Sequence, residues 1–125
     1  EAIFQRADLV TLHCPETPEN SGFVNRELLS SMRPGALLVN AARGGLVDEQ
    51  ALADALRSGC LAGAAVDVVR QEPMAADCPL LGAENCIVTP HIAWASEPAR
   101  RRLVDISVAQ MHAYLAENPV NIVSH

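Results

Sequence analysis

The sequence predicts an α/β fold in which helices flank a parallel β-sheet. Apolar runs of strand length alternate with segments of helical periodicity, and the connections between them are short, as in βαβ units with right-handed crossovers. Half of the 125 residues are hydrophobic but only 3% are aromatic. This small aliphatic composition suits the packing of helices on a sheet. A chain of this length can bury one core.

The first third of the chain contains two predicted strands with a helix between them. The opening segment, EAIFQRAD, resembles the end of a helix, and ADLVTLH (7–13) predicts a buried strand. NRELLSSM (25–32) predicts a short helix that Asn25 caps and Pro34-Gly35 ends. ALLVN (36–40) predicts the next strand.

The middle of the chain repeats the alternation. DEQALADALRSG (48–59) has one apolar face, an N-cap in Asp48 and a stop signal in Gly59, which predict a helix. AGAAVDVV (62–69) predicts a strand of small residues, which lets a helix or a ligand approach the backbone closely. A polar loop (70–85) leads to a short strand, CIVT (86–89).

A long helix is predicted from Ser96 to about Glu117. Pro98 is tolerated in its first turn, and an extended tail follows it. Its apolar stripe consists of Val104, Val108, Met111 and Leu115.

Composition excludes several function classes. The formal net charge is −6, and all nine cations are arginines that, apart from 100–102, are scattered singly, so no footprint for nucleic acid is present. The apolar stretches are only strand-sized and no signal-type leader opens the chain, so we expect no membrane span and a cytoplasmic protein. The four cysteines form no C-x-x-C pair and no metal-type spacing with the histidines. We expect no metal site and interpret the cysteines as small core residues.

Polar residues follow the predicted strands where each one ends. Parallel strands bring their carboxyl ends to one edge of a sheet, where such folds bind ligands. Arg43, Asp67, Glu72 and His91 are therefore predicted to line one cleft. Each also has a structural explanation: a solvated arginine, a turn cap, a surface acid and a buried histidine. Their shared edge favours function, because four separate structural explanations would not require it.

This set of side chains indicates a specific chemistry. An arginine binds a carboxylate through two parallel hydrogen bonds, and the glycines after Arg43 let backbone approach a ligand closely. A histidine exchanges a proton with a carbonyl or hydroxyl oxygen, and a carboxylate bonded to it fixes its tautomer. The pattern predicts handling of a 2-keto or 2-hydroxy acid. Because no side chain supplies a hydride, a nicotinamide cofactor is the natural complement.

Three stretches carry a family resemblance. MRPGALLVNAARGGLVDEQALADAL (32–56), LAGAAVDV (61–68) with Glu72-Pro73 after it, and NCIVTPHIAWAS (85–96) resemble the D-isomer-specific 2-hydroxyacid dehydrogenases. Trp94 and the PVNIV tail (119–123) resemble the glycerate dehydrogenase, or hydroxypyruvate reductase, branch. The resemblance implies that 1–95 is the C-terminal half of a Rossmann-like NAD(P)-binding domain and that 96–125 leads back toward a substrate domain.

The resemblance also implies roles for individual residues. Arg43 binds the substrate carboxylate, His91 donates and accepts the proton, and Glu72 orients His91. The cofactor-binding residues it implies are His13, Cys14, Pro15, Ala41, Ala42, Arg43, Asp67 and His91, with Asp67 against the nicotinamide carboxamide. It further implies NAD or NADP as cofactor, hydroxypyruvate or a similar 2-keto acid as substrate, and a homodimer.

Two departures from the family pattern stand out. Glu16 follows His-Cys-Pro where the family usually carries leucine or a similar residue, which places a carboxylate near the expected adenosine region. No G-x-G-x-x-G occurs in the sequence. We expect that glycine-rich turn, and the residue that selects NAD or NADP, to lie upstream of Glu1. These 125 residues alone are therefore expected to be inactive, and to be unstable or to associate.

Two other functions stay open at this point. Corepressor proteins related to the family use the same fold to sense a dinucleotide and dimerise, and they retain the arginine, glutamate and histidine. A cysteine hydrolase using Cys14 with His91 is the other alternative, although the chain has no nucleophile-elbow signature.

Overall fold

A computed structural model describes residues 2–123 and confirms the α/β architecture. The elements, in chain order, are α1 (Ala2–Arg6), β1 (Leu9–Leu12), α2 (Arg26–Ser30), β2 (Leu37–Asn40), a 3-10 turn (Gly44–Leu46), α3 (Glu49–Arg57), β3 (Gly63–Val66), β4 (Cys86–Val88) and α4 (Glu97–Leu115). The helix predicted in the opening segment is present as α1. Glu1 and the last two residues of the predicted 96–125 segment lie outside the described residues.

The four strands form one parallel sheet in the order β1-β2-β3-β4. Their last residues are paired across the sheet: Leu12 with Asn40, Asn40 with Val66, and Val66 with Val88. The strands therefore end along a single line. The segments that follow them begin at one edge of the sheet, as the sequence predicts.

Side-chain caps fix where the two middle helices begin. The side chain of Asn25 accepts a hydrogen bond from the Leu28 amide at 2.9 Å, and that of Asp48 accepts one from the Ala51 amide at 2.9 Å. Both caps satisfy an amide that the first helical turn leaves without a partner. Both are as predicted, and Gly59 just after α3 has the left-handed φ of +74° that ends a helix.

The core consists of aliphatic side chains from the strands, from α2 and α3 and from the segments between them. Helix α3 buries its apolar face, Ala51, Leu52, Ala53, Ala55 and Leu56. The largest side chains with essentially no exposure are Val24, Leu29, Leu38, Leu46, Leu52 and Leu61. The core thus holds the sheet and α3 together beneath the edge at which the strands end.

The structure differs from the sequence-based expectation in the connection after β2. The 3-10 turn Gly44–Leu46 was not predicted. It depends on close backbone packing, because a Cβ atom at Gly44 would lie 2.0 Å from the Val69 carbonyl carbon. Only glycine fits there, so the glycine pair brings two backbone segments together.

The prediction that the cysteines are core residues is wrong for one of them. Cys78 is buried and Cys60 and Cys86 are partly buried, but Cys14 is exposed. Cys14 lies beyond the end of β1, where the chain has left the sheet, so no second layer covers it.

A second compact unit begins at Ile92, after a first unit that runs to His91. It contains α4, with Pro98 in the first turn as predicted. Glu117, with a φ of +56°, follows the end of this helix. The members of the predicted apolar stripe, Val104, Val108, Met111 and Leu115, are all exposed. The assignment of residues 1–95 to an NAD(P)-binding domain, and of 96–125 to a segment that leads back toward a substrate domain, stays a prediction. Between residues 2 and 123 no helix is both long and apolar enough to cross a membrane.

We predict that Leu52→Ala lowers the free energy of unfolding by about 2–5 kcal/mol, because it leaves a cavity beside the sheet. Leu81→Ala, at a leucine residue that is 54% exposed, is the matched control and is expected to change it by less than about 0.5 kcal/mol. Urea denaturation of both variants of the complete protein measures the difference. Equal losses would contradict the assignment of Leu52 to the core.

Candidate active site

The carboxyl edge of the sheet gathers the predicted site residues. His13, Cys14 and Pro15 follow β1, Ala41, Ala42 and Arg43 follow β2, and Asp67 follows β3. Thr89 and Pro90 separate the end of β4 from His91. Most of these residues are exposed, Ala42 is partly buried and Asp67 is buried. The edge therefore carries exposed polar groups above an apolar sheet.

Glu72 and His91 form a hydrogen-bonded pair. The Nδ1 atom of His91 lies 2.8 Å from Oε2 of Glu72. The other carboxylate oxygen of Glu72 accepts a hydrogen bond from the Val69 amide at 3.3 Å. The hydrogen bond to His91 holds the pKa of Glu72 below its usual value. Because the carboxylate stays ionised and can only accept, Nδ1 carries the proton in this contact.

The backbone of His91 is held in a special conformation. Its φ is +54°, in the left-handed region that residues other than glycine rarely adopt. Its amide donates to the carbonyl oxygen of Asp67 at 2.8 Å and to that of Thr89 at 3.0 Å. These bonds tie the turn after β4 to the end of β3. They fix the direction in which the imidazole leaves the sheet.

Asp67 is a buried carboxylate at the end of β3. Its residue exposure is only 7%, and the hydroxyl of Thr89 donates a short hydrogen bond to its Oδ1 atom. Burying a carboxylate is costly unless it is hydrogen-bonded. Thr89, directly after the neighbouring strand β4, therefore supports Asp67.

Arg43 leaves the same edge on an exposed side chain. Its Nη1 atom donates to the carbonyl oxygen of Ala42 at 2.6 Å. The guanidinium is thus bonded to its own loop. His91, by contrast, is hydrogen-bonded to Glu72 through its side chain and to Asp67 through its backbone. The Ala41–Arg43 loop is itself held by the buried side chain of Asn40.

The segment after β1 presents two further features. His13 makes a hydrogen bond with Thr11, its Nε2 atom lying 2.9 Å from the hydroxyl oxygen. The carboxylate of Glu16, the departure from the family pattern, lies against Gly45, where a Cβ atom would come within 1.9 Å of its Oε1 atom. Glu16 therefore lies against Gly45, the second of the two glycines that follow Arg43.

Two supporting residues were not singled out from the sequence. Asn40 ends β2 and bonds to the loop that carries Arg43. Thr89 follows β4 and bonds to Asp67. A polar side chain closing the apolar runs ALLVN and CIVT was the available signal. As for a metal site, residues 2–123 contain no cluster of three or more histidine, cysteine, aspartate or glutamate side chains that would hold an ion.

Comparison with known protein families identifies one match. The family described as D-isomer specific 2-hydroxyacid dehydrogenase, NAD binding domain, matches residues 1–93. This is the family that the motifs around Arg43, Asp67 and His91 resemble.

Curated relatives cover nearly the whole chain. A hydroxypyruvate reductase of Blautia hydrogenotrophica is 47% identical over 99% of this chain and 38% of its own length. A glycerate dehydrogenase of Methylorubrum extorquens is 46% identical over 98% of this chain and 40% of its own length. The chain thus spans about two fifths of the length of these relatives.

Solved structures share the fold. An acyclic imino acid reductase in complex with NADPH and D-Arg superposes with a TM-score of 0.88 at 33% identity, over 98% of this chain and 39% of that one. D-lactate dehydrogenase with NAD+ from Lactobacillus jensenii gives a TM-score of 0.84 at 28% identity, over 99% of this chain and 41% of that one. Both comparisons extend the match beyond single motifs to the architecture.

We predict that His91→Ala raises the pKa of the Glu72 carboxyl toward the ordinary value for glutamate, because the hydrogen bond that lowers it is lost. The carboxyl carbon signal of Glu72, followed by NMR through an acid titration, measures the change. His13→Ala is the control and leaves the titration of Glu72 unchanged. An identical Glu72 titration in His91→Ala would rule out the pair in solution.

The sign of the linked stability effect follows from the lowered pKa. The contribution of the contact is fully present above the ordinary pKa of glutamate and is lost as the pH falls through the lowered value. Because the two side chains are 44% and 40% exposed, solvent screens the contact and the contribution is small. The pair is therefore better explained as a device for orienting His91 than as a source of stability.

Proposed function

Since this chain belongs to the D-isomer specific 2-hydroxyacid dehydrogenase family, we propose that the protein is a nicotinamide-dependent oxidoreductase that reduces a small 2-keto acid. Hydroxypyruvate is the proposed substrate and glycerate the product. The observation that carries the proposal is the Glu72–His91 pair, which places an oriented imidazole at the sheet edge that also presents Asp67 and Arg43.

His91 is the proposed proton carrier. Because Nδ1 is engaged by Glu72, proton exchange with the substrate falls to Nε2. In the reductive direction Nε2 gives its proton to the oxygen of the keto group as that oxygen becomes a hydroxyl. The ionised Glu72 stabilises the imidazolium from which the proton leaves. In the reverse direction the same nitrogen takes the proton back.

Arg43 is the proposed anchor for the substrate. Its planar guanidinium offers two parallel N–H donors that match the geometry of a carboxylate. The hydrogen bond to the Ala42 carbonyl uses one donor atom, and the exposed side chain leaves the sheet at the same edge as His91. A substrate held by its carboxylate would present its neighbouring keto group to the imidazole.

The residues at the edge fit the nicotinamide end of a dinucleotide. Asp67 offers buried carboxylate oxygens, which are acceptors suited to the amide protons of a carboxamide, and Thr89 holds that carboxylate in place. His13, Cys14, Pro15, Ala41 and Ala42 are the further proposed cofactor contacts. When bound, the reduced nicotinamide supplies the hydride for the carbonyl carbon, so that protein and cofactor deliver proton and hydride separately.

The choice of substrate rests on two kinds of support. Relatives named hydroxypyruvate reductase and glycerate dehydrogenase are 47% and 46% identical to this chain. An arginine anchor with a histidine proton carrier also suits any small 2-keto acid, so glyoxylate and pyruvate are the comparison substrates. Whether NAD or NADP is preferred is part of the same measurement.

A homodimer is proposed on the family resemblance, and a cytoplasmic location is proposed as the expectation from the sequence. Within the unit that begins at Ile92, Leu103, Val104, Ile106 and Met111 of α4 are more than half exposed, and apolar side chains of this kind favour burial against further protein. Light scattering of the complete protein measures its mass in solution.

We predict that His91→Gln lowers kcat for hydroxypyruvate by about 10²–10⁴-fold, because a positioned proton donor contributes that much. The Kd for NADH is expected to change little, and a steady-state NADH oxidation assay with a fluorescence titration measures both. His112→Gln, at the exposed histidine on α4, is the matched control and retains wild-type turnover. Wild-type activity in His91→Gln would remove His91 from the mechanism.

The wild-type assay separates the proposal from its principal alternative. The complete protein is expected to oxidise NADH or NADPH in the presence of hydroxypyruvate. Binding of the dinucleotide with no turnover of hydroxypyruvate, glyoxylate or pyruvate would instead favour a dinucleotide sensor. Unchanged activity in Cys14→Ser would dispose of the cysteine hydrolase.

A further inference from the structure

Asn40 is a buried amide side chain at the end of an apolar strand. It is the last residue of β2, its exposure is 1%, and its strand neighbours Leu12 and Val66 are both buried. A polar side chain in this position lowers stability unless its donors and acceptors are satisfied. Asn40 is therefore expected to serve a purpose that an apolar residue could not.

Both ends of the Asn40 amide bond to the loop that carries Arg43. The side-chain oxygen accepts a hydrogen bond from the Ala42 amide at 3.1 Å. The side-chain nitrogen donates to the carbonyl oxygen of Arg43 at 2.9 Å. One acceptor and one donor on a single planar group are needed for this pair of contacts, and asparagine supplies both.

The loop is also held on its far side. Gly44, directly after Arg43, lies against the backbone of Val69, and Gly45 accepts a hydrogen bond from the Gly22 amide at 2.7 Å. On the near side the main-chain carbonyl of Asn40 accepts from the Asp67 amide at 2.9 Å. Between these fixed points, the side chain of Asn40 bonds directly to the peptide groups of Ala42 and Arg43.

We propose that Asn40 is a positioning residue for the substrate-binding arginine: its buried carboxamide clamps the Ala41–Arg43 loop and so sets the place from which the Arg43 guanidinium meets the substrate carboxylate. This inference rests on the proposed role of Arg43. Asn40 does not touch the substrate. Without the clamp, the peptide carrying Arg43 loses two of the bonds that fix it against the sheet.

The proposal predicts a selective kinetic defect in Asn40→Ala. Displacing a binding group by about an ångström costs up to about a hundredfold, so kcat/KM for hydroxypyruvate is expected to fall by about ten- to hundredfold. The acid titration of Glu72 stays close to wild type, because the side chain of Asn40 bonds to the Ala41–Arg43 loop and not to Glu72 or His91. Asn118→Ala, at an exposed asparagine, is the matched control and leaves both quantities unchanged.

A double-variant cycle with Arg43→Ala distinguishes positioning from general support of the fold. If Asn40 acts through Arg43, Asn40→Ala has less than about a twofold effect on kcat/KM once Arg43 is absent, because residues acting through one another are not additive. The same ten- to hundredfold loss in both backgrounds would overturn the proposal. An unchanged kcat/KM in the single variant would overturn it as well.

A second variant and a measurement on the wild type cover the case in which Asn40→Ala fails to fold. Asn40→Asp retains the acceptor for the Ala42 amide and removes the donor to the Arg43 carbonyl, and the same selective loss is expected. In the wild-type protein the side-chain NH₂ protons of Asn40 are expected to exchange with solvent far more slowly than those of Asn118. Equal exchange rates would overturn the clamp.

The exchange measurement also separates this inference from the proposed function. A wild-type protein without turnover of any 2-keto acid would refute the proposed function. The clamp on the Arg43 loop would then still be decided by the exchange rates alone, with slow exchange supporting it and fast exchange refuting it.

Discussion

The in-register ending of four parallel strands is the constraint on which the rest of the structure depends. The last residues of the strands, Leu12, Asn40, Val66 and Val88, are paired across the sheet. The segments that follow the strands therefore all begin at one edge of the sheet, although they are far apart in sequence. Slipping one strand by a single residue would turn its side chains to the opposite face. The small residues of β3 and the aliphatic core hold this register. Chemistry at the edge is therefore a consequence of packing within the sheet.

Polar side chains fix what the register brings together. Asn40 and Asp67 are buried at this edge, and each holds or is held by a neighbouring loop through hydrogen bonds. Glu72 sets the tautomer of His91, whose backbone is bonded to Asp67. The exposed groups proposed to contact the substrate are thus held in place by buried residues. This arrangement is the one that pre-organised sites require, because a loose group binds the reacting atoms less well.

The sequence was informative where local chemistry decides the structure. The caps at Asn25 and Asp48, the proline in the first turn of α4 and the alternation of strands and helices all follow from short-range rules, and the structure confirms them. The shared edge of Arg43, Asp67, Glu72 and His91 followed from the single assumption of a parallel sheet.

Long-range contacts were not accessible in this way. The 3-10 turn depends on Gly44 packing against Val69, 25 positions away in the chain, and Cys14 is exposed because the chain leaves the sheet there. The same holds for Thr89, whose partner Asp67 lies 22 positions away in the chain. The partners of Asn40, Ala42 and Arg43, are local, and the polar residue that closes ALLVN is their signal in the sequence.

The central claim is that Arg43 and His91 act on one small molecule at this edge. A crystal structure of the complete protein with NAD+ and a non-reactive 2-hydroxy or 2-keto acid analogue tests it most directly. The account predicts two nitrogen atoms of the Arg43 guanidinium within about 3 Å of the analogue's carboxylate and Nε2 of His91 within hydrogen-bond distance of its 2-oxygen. An analogue whose carboxylate is held by other residues, with His91 out of reach of the 2-oxygen, would contradict it.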